Sequence, residues 1–252
     1  VLNISKSASQ KGIKVLIGGA AGDDIFSGYR RHLALRFEPI FACTPLFMRR
    51  ALKYLFSLFS PRLPIFRRLK KGTKHLDKNQ RERLLGYFEW IDVPTVKELF
   101  TPINKSSITD YDPYTYFNEI LKEVDSERSL LQKMLYVELK TFLVDHNLNY
   151  TDKMSMATGV EARVPYLDTE LVQFAQSIPP WLKYKNGHAK YILKKVAERY
   201  LPREIIYRPK TGFGAPVRKW IVEDMAEMIN ERLSQEKLEE QHKRVETGER
   251  PR

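Results

Sequence analysis

The most regular run of apolar and polar positions lies between Leu130 and Leu148. Leu131, Met134, Leu135, Glu138, Phe142 and Asp145 recur there at three- and four-residue spacing, which predicts one amphipathic helix. Two carboxylates fall on its apolar face, and carboxylates are rarely buried unpaired, so that face is expected to open into a cleft at one end. A second pattern starts at Thr44-Pro45, with Leu46, Phe47, Ala51, Leu52, Leu55, Leu58 and Phe59 set against Arg49, Arg50 and Lys53. It predicts an amphipathic helix with a basic face, ended by Pro61 and Pro64. Shorter helical patterns cover Arg81 to Ile91, Pro94 to Phe100, Thr169 to Ser177 behind an Asp168 cap, Lys190 to Tyr200 and Val217 to Leu233. Residues 35–125 show no strand-like alternation and read as a helical insertion, while 234–252 read as a polar, frayed tail.

One stretch departs from the helical period. Val15-Leu16-Ile17 is a short apolar run closed by Gly18-Gly19, which predicts a buried strand. Ala20, Ala21 and Gly22 follow, then Asp23-Asp24, either of which could cap a helix beginning at Ile25-Phe26. Strand, small-residue turn and helix start is an arrangement that places ligands at the carboxyl end of a parallel sheet. Glycines admit a phosphate close to the backbone, free N–H groups favour its oxygens, and a carboxylate can hold a divalent cation against them. An ordinary strand-to-helix turn with a capping Asp fits the same residues.

The 252-residue chain is 42% hydrophobic and 29% charged, a globular composition with no apolar run near the roughly 20 residues of a membrane helix. The opening Val1-Leu2-Asn3-Ile4 reads as the end of a helix, so the chain is expected to be a piece of a longer protein. Cys43 is the only cysteine, which points to a reducing compartment, the cytoplasm, and its apolar neighbours predict a buried, inert thiol. His32, His75, His146, His188 and His242 show no metal-ligand spacing. The net charge of +12 is concentrated: residues 49–83 hold twelve Lys and Arg against Asp77 and Glu82. Basic residues interleaved with large apolar ones over 44–83 leave open a nucleic-acid-binding or anionic membrane-surface module.

Two further segments stand beside the Gly18–Asp24 turn: Asp152 to Asp168, reading DKMSMATGVEARVPYLD, and the basic loop Arg208-Pro209-Lys210-Thr211-Gly212-Phe213-Gly214. In this order and spacing the three resemble the synthetase domain of the glutamine-hydrolysing asparagine synthetase family. The resemblance is carried by Ile13–Tyr29 and most of Leu130–Trp220, and it identifies the chain as the C-terminal part of that domain. It implies an α/β fold of the PP-loop ATPase type, with a truncated parallel sheet and a predominantly helical C-terminal part. It also implies an ATP- and Mg²⁺-dependent ligase that adenylates a small-molecule carboxylate, releases pyrophosphate and admits ammonia from an upstream glutaminase domain, in a homo-oligomeric full-length enzyme.

Carried over by position, Gly18, Gly19 and Gly22 would bind ATP, Asp23 would hold Mg²⁺ on the pyrophosphate, and Lys210 would stabilise charge developing on the phosphates. A lysine in a glycine-bearing loop also reads simply as a solvated side chain. Ala20 stands where the family carries a glutamate, so a carboxylate other than aspartate is an alternative acceptor. Asp145 or Asp152 could supply the missing carboxylate. Glu161 and Arg163 either pin the middle segment through an internal ion pair or shape the substrate pocket.

Overall fold

The structure is a computed structural model that describes residues 1–60, 63–101, 104, 108, 110–209 and 216–246. The chain divides into two compact units, Val1–Leu201 and Pro202–Arg252. The fold is α/β and mostly helical, with a small parallel sheet.

The first unit is organised by β1, Val15–Ile17, and β2, Glu161–Arg163, which pair in parallel with Leu16 opposite Ala162. Their ladder extends at both ends, since Glu161 N–H donates to Lys14 O and Gly18 N–H donates to Arg163 O, each at 2.8 Å. Two segments separated by more than 140 residues of chain are thereby fixed side by side. The strand expected at Val15–Ile17 forms, but it is not buried: Val15 is 38% and Ile17 is 78% exposed. Alternation turns these two to the same face, and no described element covers that face.

After β1 the chain turns through Ala21, whose φ of 66° is left-handed, into a short helix Gly22–Phe26. Ala21, not an Asp, is the N-cap: its carbonyl accepts from Asp24 and Ile25 N–H groups. Ile25 and Phe26 are buried with Ala175 and Ile178 in one core cluster, flanked by Tyr166 and Leu139. A Cβ on Gly22 would meet the Tyr166 ring at 3.2 Å, so this glycine serves close packing.

The helix expected over Leu130–Leu148 is two elements. Ser129 caps Leu130–Lys140 in a reciprocal capping box with Gln132. At Thr141 the backbone leaves the helical region (φ −127°, ψ −83°), and Phe142–Leu148 continues as a wide π-turn before the helix Asn149–Met156. Met134, Val137 and Glu138 are fully buried as the pattern requires. The π-turn shifts the phase, so Asp145 leaves that face and is exposed.

Between these parts the insertion is helical throughout its described elements: Glu38–Cys43, Leu46–Ser57, Pro64–Thr73, Gln80–Gly86, Val93–Glu98 and Tyr114–Lys122. Leu35, Leu84 and Met134 form the core that joins it to Leu130–Lys140. Leu46–Ser57 buries none of its residues, and Phe47 is 72% exposed. Cys43 is exposed, not buried, because the helix Glu38–Cys43 turns Glu38 inward instead.

In the second unit, the helix expected over Val217–Leu233 is broken into Val217–Lys219, a π-turn Trp220–Asp224 and Ala226–Arg232. Where a frayed tail was expected, Gln235–Glu246 is helical, with Lys237 paired to Glu240 one turn away. No helix among the described residues is long and apolar enough to cross a membrane.

Candidate active site

The β1–helix turn carries two carboxylates with opposite environments. Asp23 lies at the surface side, where its Oδ1 is 2.9 Å from Lys190 Nζ. Lys190 has a left-handed φ of 55° immediately before the helix Tyr191–Ala197. Gly28 closes back on Asp23, its N–H donating to Asp23 O at 2.8 Å, and a Cβ there would come within 1.8 Å of Asp23 Oδ1. Glycine at 28 is therefore a steric requirement of the Asp23 side chain.

Asp24 points the other way and is 1% exposed. Tyr29 Oη donates to its Oδ2 at 3.3 Å, and Asn147 Nδ2 donates to Tyr29 Oη at 3.1 Å. Asp24 Oδ1 is buried without a hydrogen-bond partner among the described residues. Burial, reinforced by the charge of Glu138, raises the Asp24 carboxyl to about 6. Burial, then the Asp24 charge, pushes the Tyr29 hydroxyl well above its ordinary value.

Behind Tyr29 lies a buried ionic cluster. Glu138 receives Arg31 Nε on Oε1 and stands 2.6 Å from His32 Nε2 through Oε2. The Arg31 guanidinium lies 4.5 Å from the ring centroids of both Tyr29 and Phe142, which meet edge to face. Next to this cluster a cleft of about 890 Å³ opens between Tyr29–Phe41 and the insertion residues Lys70–Trp90.

The residues singled out in the sequence divide accordingly. Gly18 N–H is committed to the sheet, Gly22 packs on Tyr166, and Gly19 has open space where a side chain would project. Of the three, only Gly19 has nothing among the described residues within 4 Å of a projected Cβ. Asp145 and Asp152 are both exposed, and neither carboxylate has an ion-pair partner among the described residues. Glu161 and Arg163 pair with each other (Arg163 Nε to Glu161 Oε1, 2.9 Å), which holds the Glu161 carboxyl below its usual range. The pair lies within one strand and is exposed, so it adds little to stability. Lys210 lies outside the described residues. Sequence reasoning passed over Asp24, Tyr29, Arg31, His32 and Lys190; the usable signal was Glu138, a carboxylate on an apolar helical face that needed basic partners.

No group of three or more His, Cys, Asp or Glu side chains suited to a metal occurs among the described residues. The donor set at Asp23 nevertheless suits a cation that brings its own ligands, because a cation, the Lys190 ammonium, already stands on its carboxylate.

Comparison with known proteins bears directly on this arrangement. The sequence profile of the family described as asparagine synthase matches residues 2–247. The chain belongs to the asparagine synthase family. It is 31% identical over 230 residues to the glutamine-hydrolysing asparagine synthetase 1 of Bacillus subtilis (strain 168), covering 90% of this chain and 34% of that protein. It is 27% identical over 219 residues to a putative glutamine-hydrolysing asparagine synthetase of Mycobacterium bovis, covering 84% of this chain and 31% of the relative. The amidase chyE of Penicillium rubens is 24% identical over 265 residues, covering 94% of the chain and 37% of that protein. The chain thus spans about a third of the length of these curated relatives. No solved structure matches.

Proposed function

We propose that the chain is the C-terminal part of the synthetase domain of an ATP-dependent ligase, in which a carboxylate is adenylated and the adenylate is attacked by ammonia to give an amide. The observation that carries this reading is the pairing of β1 with β2, which sets the small-residue turn at Gly18–Asp24 against the VEARVPYLD segment. Those are the segments that carry the resemblance to the asparagine synthases, and membership of that family supports aspartate as the acceptor. The exposed apolar face of Val15 and Ile17 supports a larger parallel sheet of PP-loop type, in which further strands would cover it.

The residues of this chain have distinct tasks in such a reaction. The open turn at Gly19 admits the nucleotide phosphates close to the backbone. Asp23 would hold Mg²⁺, which when bound neutralises charge on the departing pyrophosphate. Lys190, which stands on Asp23, would be free to meet a phosphate oxygen if a metal took its place on that carboxylate. Lys210, by its place in the family resemblance, would stabilise charge that develops on the phosphates in the transition state, a contribution on the order of 3 kcal/mol. Asp24 and Tyr29 remain a buried pair that fixes the turn. Ammonia would arrive from a glutaminase domain, as in relatives that are glutamine-hydrolysing synthetases.

The test is product analysis with the whole protein that contains this chain, supplied with ATP, Mg²⁺, ammonia and aspartate. AMP, pyrophosphate and asparagine in equal amounts are expected. Formation of ADP and phosphate, or no nucleotide cleavage with aspartate or any other carboxylate, overturns the reading.

A further inference from the structure

The cleft beside Tyr29 is lined mainly by apolar surface, with cations at its rim. Its carboxylates are already engaged. Glu38 is held by Arg83 through Nε at 3.1 and 3.2 Å and through Nη2 at 2.7 Å. Glu89 is held by Lys74 at 3.0 Å and lies 3.1 Å from His75. Arg31 is committed to Glu138. That leaves Arg30 and Lys70, both exposed on the cleft, with no acidic partner among the described residues. The rings of Tyr29, Tyr87 and Trp90 line the same cleft, and Trp90 is 75% exposed. A volume of about 890 Å³ is near the upper end of the roughly 300–1,000 Å³ that accommodates drug-sized ligands, and is far more than a four-carbon amino acid fills.

We infer that this cleft binds a small-molecule carboxylate carried on an aromatic or apolar body, its acid group facing Arg30 and Lys70 and its body lying against Trp90 and Tyr87. Charge complementarity selects the acid, because the acidic side chains of the cleft are occupied and the unpaired charges are positive. The aromatic walls select the body, because stacking and burial reward flat apolar groups. Burial holds His75 below its ordinary value. This binding does not rest on the amide-forming reading, in which aspartate is the acceptor. The cleft walls come largely from the insertion.

The experiment is calorimetric titration of the protein with 3-phenylpropionate and with 3-phenylpropanamide, its uncharged counterpart, at low ionic strength. The acid is expected to bind at least tenfold more tightly than the amide, and added salt is expected to weaken the acid alone. The double variant Arg30→Gln/Lys70→Gln alters two exposed side chains outside the core, and should lose at least fivefold in affinity for the acid without a change in melting temperature. Trp90→Ala should weaken acid and amide alike. No binding of the acid, equal binding of acid and amide, or wild-type affinity in the double variant overturns the inference. The two readings fail separately. Acid binding by a protein that never forms AMP supports the cleft and removes the ligase, while asparagine synthesis without acid binding removes the cleft and leaves the ligase.

Discussion

His32 Nε2 lies 2.6 Å from Glu138 Oε2 across 106 residues of chain, and neither side chain reaches solvent. With Arg31 on the other carboxylate oxygen, the helix Arg30–Ala34 is bolted to the long helix Leu130–Lys140. This bolt sits directly behind Tyr29 and Asp24, so the turn is held from its buried side while its outer side stays open.

Glu138→Gln is expected to cost about 3 kcal/mol or more of unfolding free energy, since the amide keeps the shape but leaves the Arg31 charge buried without its counter-charge. Urea denaturation measures it. The double change Arg31→Gln/Glu138→Gln should cost less than the two single changes together. A Glu138→Gln variant within 1 kcal/mol of wild type would show that the cluster does not hold the two helices.

Asp24 makes the folded state sensitive to mildly acidic pH. Its carboxyl is raised from 3.8 to about 6, so between those values the folded chain binds more protons than the unfolded one. Stability contributed by this group is therefore present at low pH and is lost as pH rises from about 4 to 6. Asp24→Asn removes the charge and keeps an acceptor for Tyr29. At pH 7 the variant should be more stable by roughly 3 kcal/mol at most, and the advantage should vanish below pH 4. Melting temperatures across pH 4–7 decide it, and a constant offset between the two proteins would refute the burial account.

Lys183 gives the same logic with the opposite sign. It is 2% exposed, it has no hydrogen-bond or ion-pair partner among the described residues, and burial lowers its amine to about 8. Between about 8 and 10.5 the unfolded chain binds more protons, so stability from this site rises with pH through that window. Lys183→Met should raise the melting temperature at pH 7 and flatten the pH dependence between 8 and 10. Destabilisation at pH 7 would mean the amine has a counter-charge that compensates its burial.

Much of the site could be read from residue order because its parts are local. Val15–Ile17 is apolar and brief, Gly18–Gly22 is small, and the VEAR segment carries its own signature; the structure adds that they pair. Which carboxylate of Asp23-Asp24 turns inward could not be read, because it is set by the left-handed Ala21, a conformation alanine rarely adopts and composition does not announce. The break at Thr141 was hidden for a similar reason. A π-turn keeps helical composition while changing the phase, so Asp145 looked like a partner of Glu138 and is not. Burial at Val15 and Ile17 failed because apolar character predicts a face that wants cover, and cover depends on elements far away in the chain.

The last prediction concerns the competition on Asp23. The Lys190 ammonium stands 2.9 Å from Asp23 Oδ1, so a metal taking that oxygen would displace it. A cation bound through one carboxylate plus phosphates has few protein ligands to lose, and removing a competing charge should be felt in the metal dependence first. In the whole protein, Lys190→Met should lower the Mg²⁺ concentration that gives half-maximal AMP formation, while also lowering the maximal rate because a phosphate-facing charge is gone. Asp23→Asn should do the reverse, raising the Mg²⁺ requirement severalfold with activity partly restored at high metal. Titrating Mg²⁺ at saturating ATP and aspartate separates the two. If both variants lose rate at an unchanged Mg²⁺ midpoint, Asp23 is a structural partner of Lys190 and Gly28, and the metal is held elsewhere.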